Sequence, residues 1–323
     1  MTDTALKGEP QQPVEPAVLE DVPGWFWDHD RHSFEWFLGR QAKQGVTGDL
    51  MEMGAYLGRS AIVIGEHLQP GEAFTVCDLF DSDAPDEENS DEMDLSYRKT
   101  LTRSAFEANY LSFHDELPDI IQAPTSVLAG GRVPAGAYRF IHIDASHLYE
   151  HVVGDLQVAR VALQDQGVVV LDDYRAQHTP GVAAATWEAV FNHGLKPIML
   201  TECKFYGTWG DPEPFQRDLL DRVDLAVGCE LATETLNRRQ VLRMAGGSEG
   251  IHPFRPSRHE PRAVEAPEPE SLSRTAMDEA ALELAARRTR AAEARRPVNV
   301  AKRAAKDLLP PVVTSAIRRA RRG

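Results

Sequence analysis

Glu52-Met53-Gly54-Ala55-Tyr56-Leu57-Gly58-Arg59-Ser60 stands where an apolar run, 48–53, gives way to a helical stretch from about Ser60. Its glycines permit a tight turn that lets a ligand approach the backbone. The helix that follows presents unpaired N–H groups, which favour a carboxylate or phosphate. The spacing, E-x-G-x-x-x-G-x-S, departs from the G-x-G-x-x-G dinucleotide fingerprint and lacks the Lys-Ser/Thr of a Walker loop. Alone, the glycines could be a plain strand-to-helix turn; Glu52 at the strand's end argues for a site.

Around this turn, short apolar runs alternate with longer amphipathic stretches, the pattern of βα repeats on a mostly parallel sheet. Strands are expected at 48–53, 73–78, 118–122, 138–144, 167–172 and 196–201, with a last one over 203–209. Val168-Val169-Val170-Leu171 is apolar throughout, as a central parallel strand covered on both faces would be. Leu148, Val152, Leu156, Ala159 and Leu163 form one helical stripe. The expected fold is a Rossmann-like, seven-stranded, mostly parallel sheet with helices on both faces, capped by an amphipathic helix within 25–44.

The ends of the chain read differently. Residues 1–22 are a proline-containing, disordered lead-in, 23–240 the folded domain, and 241–284 a linker in which five prolines fall between Pro253 and Pro269. Residues 285–323 are a helical or disordered tail with 12 Lys/Arg against 2 Asp/Glu, whereas the whole chain of 323 residues carries −15. An acidic body of this kind does not suit nucleic-acid binding by counterion release. The tail could touch an anionic membrane surface or an acidic partner. Cys77, Cys203 and Cys229 have no C-x-x-C spacing, and no apolar run is long enough to cross a bilayer, so a cytoplasmic protein is expected. A homo-oligomer is compatible with the sequence.

Asp78 ends the run Phe74-Thr75-Val76-Cys77. A carboxylate there can accept two hydrogen bonds from a ribose diol, although an Asp ending a strand is on its own more often a turn residue. Ile141-His142-Ile143-Asp144-Ala145-Ser146-His147 and Leu171-Asp172-Asp173-Tyr174 place further acids at the carboxyl ends of adjacent strands. Three converging carboxylates repel unless a cation lies between them, and hard oxygen ligands favour Mg²⁺ or another divalent ion. Asp172 and Asp173 can share one ion only if the strand ends and the backbone turns between them. A solvated acidic loop at 172–173 and a helix-capping Asp144 are the plainer readings of each piece taken singly. His147, at the mouth of the same region, suits general-base work or could simply pack at a helix start. His142, inside the strand, reads as structural.

Taken together, these stretches resemble the class I S-adenosylmethionine-dependent methyltransferases, and Glu52 to Ser60 resembles the catechol-type, metal-dependent O-methyltransferases. His147, where the catechol branch has lysine, is similar to the bacterial sugar and macrolide O-methyltransferases. The resemblance, over 23–210, implies a cofactor site of Glu52, Gly54, Tyr56, Gly58, Ser60 and Asp78, with Thr125 or Ser126 at the adenine. It also implies a metal site of Asp144, Asp172 and Asp173, His147 as catalytic base, and a small hydroxylated acceptor. Trp25, Trp27, Trp187, Tyr206 and Trp209 could wall an acceptor pocket or pack the core. A nucleotide-dependent oxidoreductase and a silent S-adenosylmethionine-binding or tethering protein are the alternatives.

Overall fold

Val168 and Val170 pack into one apolar layer, while Val169 and Leu171 pack into a second on the opposite face of the sheet. This two-sided burial is what an uninterrupted apolar strand requires. The computed structural model describes residues 15–85, 87–88, 90, 100–221, 229–246 and 251–259. Residues 1–14 of the expected lead-in, residues 86, 89 and 91–99, and the expected linker and basic tail from residue 260 on lie outside the described residues.

Strands β1 (Asp49–Met53), β2 (Phe74–Asp78), β3 (Asp119–Gln122), β4 (Tyr138–Ile143) and β5 (Leu163–Leu171) are mutually parallel. They are followed by β6 (Lys196–Leu200) and β7 (Phe205–Thr208), with β7 antiparallel to both β5 and β6. Among the described residues the sheet has nine strands rather than the expected seven, in the order β3-β2-β1-β4-β5-β7-β6-β9-β8. The added pair is a hairpin of β8 (Cys229–Leu236) and β9 (Arg239–Gly246) beside β6. It escapes a reading based on apolar runs because β8 buries none of its residues fully and β9 only Val241, Leu242 and Met244.

Helix α1 (Asp28–Lys43) buries Phe34, Phe37 and Leu38. It shares its apolar layer with α2 (Arg59–Gly65) and α3 (Arg103–Phe113), whose first turn is capped by the Thr102 hydroxyl accepting from the Ala105 amide. The other face is covered by α4 (Tyr149–Ala162) and α5 (Pro180–Asn192), the latter started by a proline in its first turn. Helix α6 (Glu213–Leu220) follows β7.

The expected domain end at 240 falls inside β9. Residues 251–259 also lie back on the domain: the Ser257 amide donates to Ala17, the Arg258 amide to Ser112, and Arg255 pairs with Glu66 at 2.6 Å. Strand order reverses between β1 and β4, and in open α/β sheets ligands bind outside the carboxyl ends at such a point.

Candidate active site

Glu52 in β1 lies in register with His142 in β4, and His142 with Val170 in β5. Side chains two apart on a strand share a face, so Asp144 and Asp172 continue past the strand ends on the side His142 occupies. The Asp172 amide donates to the Ile143 carbonyl at 3.0 Å, holding the two ends together. On the other side Leu171 pairs with Phe205 in antiparallel register. The residue before Phe205, Lys204, is thereby brought opposite Asp172.

The result is a cluster at four strand ends. One ligand atom each of His142, Asp144 and Asp172 lies within 4.8 Å of the others. The His142 Nδ1 is 2.7 Å from Glu52 Oε1, and its buried Nε2 has no hydrogen-bond partner. Lys204 Nζ stands 2.5 Å from Asp172 Oδ2. Burial alone would raise the Asp172 carboxyl, but the Lys204 ammonium and His142 hold it below the usual carboxylate range. Burial would lower Lys204, yet Asp172, Asp30 and Asp144 outweigh it and keep the ammonium charged. Asp144 retains a solvent-exposed edge although protein surrounds it. Loss of hydration and the charge on Asp172 push its carboxyl well up.

Asp173 takes another direction. The strand has ended, and Asp173 sits at φ +53°, so the backbone turns between the paired acids as sharing one ion would require. Its amide donates to Asp172 Oδ1 at 2.8 Å, and its carboxylate lies 3.7 Å from His147 Nε2 and 3.6 Å from His178 Nε2. Those separations are ion-pair proximity rather than hydrogen bonds. Of the three acids expected around an ion, Asp144 and Asp172 therefore stand together with His142, while Asp173 faces two histidines.

The glycine turn abuts this cluster. Gly54 has φ +81°, and a Cβ there would lie 2.2 Å from the Asp144 carbonyl oxygen. Gly58, at φ +94°, starts α2, in which Ser60 is buried. Asp78 pins the turn: its Oδ2 accepts from the Ala55 and Tyr56 amides at 2.7 and 3.1 Å, and its Oδ1 from Phe80 at 2.6 Å. Burial raises the Asp78 carboxyl. Glu52 is wholly buried against His142, Tyr56 meets Trp25 ring to ring at 5.3 Å, and Ser126 is exposed on the 3-10 turn Thr125–Leu128. Among the aromatics read as a pocket wall, Tyr206 is buried in a stack on Phe37, and Trp187 packs edge-on to Tyr174 and Phe205.

The donor set fits a divalent cation. Two carboxylates supply hard oxygens, and a buried imidazole nitrogen without a partner is a ligand atom in waiting. Lys204, Asp30 and His178 join the site without having been read as site residues. His142 could have been found from its two-residue offset to Asp144, whereas Lys204 and Asp30 depend on lateral packing that no local pattern encodes.

Residues 51–174 match the model of a family described as a methyltransferase domain. No curated protein matches the chain. Among solved structures, the O-methyltransferase NovP is 16% identical, with 57% of this chain and 80% of that one covered at a TM-score of 0.46. CalS11, a TDP-rhamnose 3'-O-methyltransferase of calicheamicin biosynthesis, is 19% identical over 58% and 82% at 0.38. TomG of Streptomyces achromogenes, an O-methyltransferase involved in tomaymycin synthesis, is 12% identical over 55% and 80% at 0.36.

Proposed function

We propose that this chain is a class I S-adenosylmethionine-dependent methyltransferase, a reading supported by the methyltransferase-domain model matched over residues 51–174, and that it methylates a hydroxyl oxygen of a small natural product or sugar. The observation that carries this reading is the convergence of His142, Asp144 and Asp172 beside the Gly54 turn, with His147 and Asp173 adjoining.

When bound, S-adenosylmethionine supplies an electrophilic methyl group, and a divalent cation, Mg²⁺ or Mn²⁺, lowers the pKa of a coordinated hydroxyl. His142, Asp144 and Asp172 would hold the cation. The Gly54 turn packs its backbone against that of Asp144 and Ala145 and is kept in shape by Asp78 accepting from Ala55 and Tyr56. His147 accepts the hydroxyl proton at an imidazole nitrogen. Asp173, 3.7 Å from His147 Nε2, stabilises the imidazolium that results. Little else is asked of the protein beyond holding donor and acceptor in line.

Among the described residues no helix is long and apolar enough to cross a membrane. The test is turnover of S-adenosylmethionine against a panel of sugar and phenol hydroxyls, with added Mg²⁺ or Mn²⁺ and with chelator. Transfer to at least one hydroxyl, lost on chelation and restored by the ion, is expected. Undiminished transfer in chelator would overturn the metal's role, and transfer to nitrogen or carbon acceptors only would overturn the oxygen.

A further inference from the structure

Lys204 is fully buried, and the transfer just described does not use it. Its Nζ lies 2.5 Å from Asp172 Oδ2 and over the rings of Phe26 and Phe34, 5.5 and 5.9 Å from their centroids. An ammonium among apolar rings persists only when an acid neutralises it. Asp172 does so while its other oxygen accepts from the Asp173 amide. Both oxygens of Asp172 thus have a partner already, although a carboxylate offers about four lone-pair positions in all.

With both carboxylates of Asp144 and Asp172 ionised, the Lys204 ammonium cancels one of the two charges and leaves these three groups with one net negative charge. A divalent ion added to it meets two carboxylates but also an ammonium on the far side of one of them. We propose that Lys204 is the resident counter-ion of the His142–Asp144–Asp172 pocket, and that a divalent cation reaches Asp172 in competition with it. The proposal rests on the metal reading above and adds that this chain weakens its own metal site. The ammonium keeps the acids apart electrically when no ion is present, and it lowers the affinity when one arrives.

The test uses the full-length protein and divalent salts alone. Mn²⁺ binding is followed by the electron paramagnetic resonance signal of the free aqueous ion, for the wild type, Lys204→Met and Lys204→Arg. Removing the positive charge should tighten Mn²⁺ by about tenfold or more, whereas Lys204→Arg should bind no more tightly than the wild type. In a parallel arm that needs only the wild type to fold, the protein is labelled at lysine Cε and titrated with MgCl₂. One buried-lysine resonance, assigned by its absence from Lys204→Arg or Lys204→Met, should shift saturably. Equal or weaker Mn²⁺ binding by Lys204→Met, or a Lys204 resonance that ignores saturating Mg²⁺, overturns the competition and leaves the metal site standing. Absence of binding by every form overturns both.

Discussion

Glu52 Oε1 and His142 Nδ1 lie 2.7 Å apart, with neither side chain meaningfully exposed. A carboxylate can only accept, so the proton is placed on Nδ1 and the lone pair on Nε2, the atom without a partner. Carboxylates behind metal-binding histidines act in this way, and their loss commonly costs about 10- to 100-fold in affinity. Glu52→Gln, which can donate as well as accept, releases the tautomer. It should weaken Mn²⁺ binding by about tenfold in calorimetry while the melting temperature moves by only a few degrees. If S-adenosylmethionine affinity falls instead and Mn²⁺ affinity does not, Glu52 serves the donor, as the sequence resemblance implies, and not the metal.

His147 and Asp173 are expected to separate chemistry from binding. A positioned base contributes roughly 10²- to 10⁴-fold to a rate, so His147→Ala should lower kcat by that order while leaving S-adenosylmethionine affinity within about twofold. Asp173→Asn should lower kcat less and leave Mn²⁺ affinity near that of the wild type, because its carboxylate faces His147 and His178. A loss of Mn²⁺ binding in Asp173→Asn as large as in Asp144→Asn would return Asp173 to the metal. Stopped-flow turnover and calorimetry on the same preparations make the comparison.

Much of this arrangement was legible in the residues, because burial on two faces demands apolar runs and exposed turns demand glycine and acids. Strands β1 to β7 follow the runs, and the backbone does turn between Asp172 and Asp173, the condition under which the two acids could share an ion, although Asp173 faces His147 and His178 instead. What local pattern does not encode is lateral register. Nothing near Lys204 announces that Phe205 pairs with Leu171, yet that pairing alone delivers an ammonium to Asp172. Asp30 is equally silent, since it belongs to helix α1, which packs on a face of the sheet and meets Lys204 only through the fold, and burial raises its carboxyl there. His142 read as structural because its neighbours are apolar; its partner Glu52 lies on a different strand. The β8–β9 hairpin was missed for the opposite reason, being too exposed to leave an apolar signature.

Gly54 couples the turn to the acidic cluster through space that only a missing side chain provides. At φ +81°, with the Asp144 carbonyl oxygen 2.2 Å from where a Cβ would be and the Ala145 Cα at 2.5 Å, alanine is strained in both backbone and packing. The backbone contribution alone is on the order of 1–2 kcal/mol. Gly54→Ala should therefore lower stability by about 2 kcal/mol or more in urea unfolding and abolish measurable S-adenosylmethionine binding. Gly71→Ala is the control: it has a similar φ of +88° but open space around it. It should show the backbone penalty and keep its binding.

His67 sets an acid limit on stability that is independent of the site. Burial holds its imidazole down to about 4, against a small opposing pull from Glu66. The unfolded chain protonates this residue near pH 6.5, whereas the native state resists until about pH 4, so across that interval the unfolded state binds more protons. The contribution is fully present above pH 6.5 and is lost as pH falls toward 4, with a ceiling on the order of 3 kcal/mol. His67→Gln cannot take up the proton, so its stability should fall less than that of the wild type between pH 7.5 and pH 4.5. Urea midpoints for the two proteins at both pH values isolate the difference, because every other titrating group is shared. Parallel declines would show that His67 is protonated in the native state as readily as in the unfolded chain.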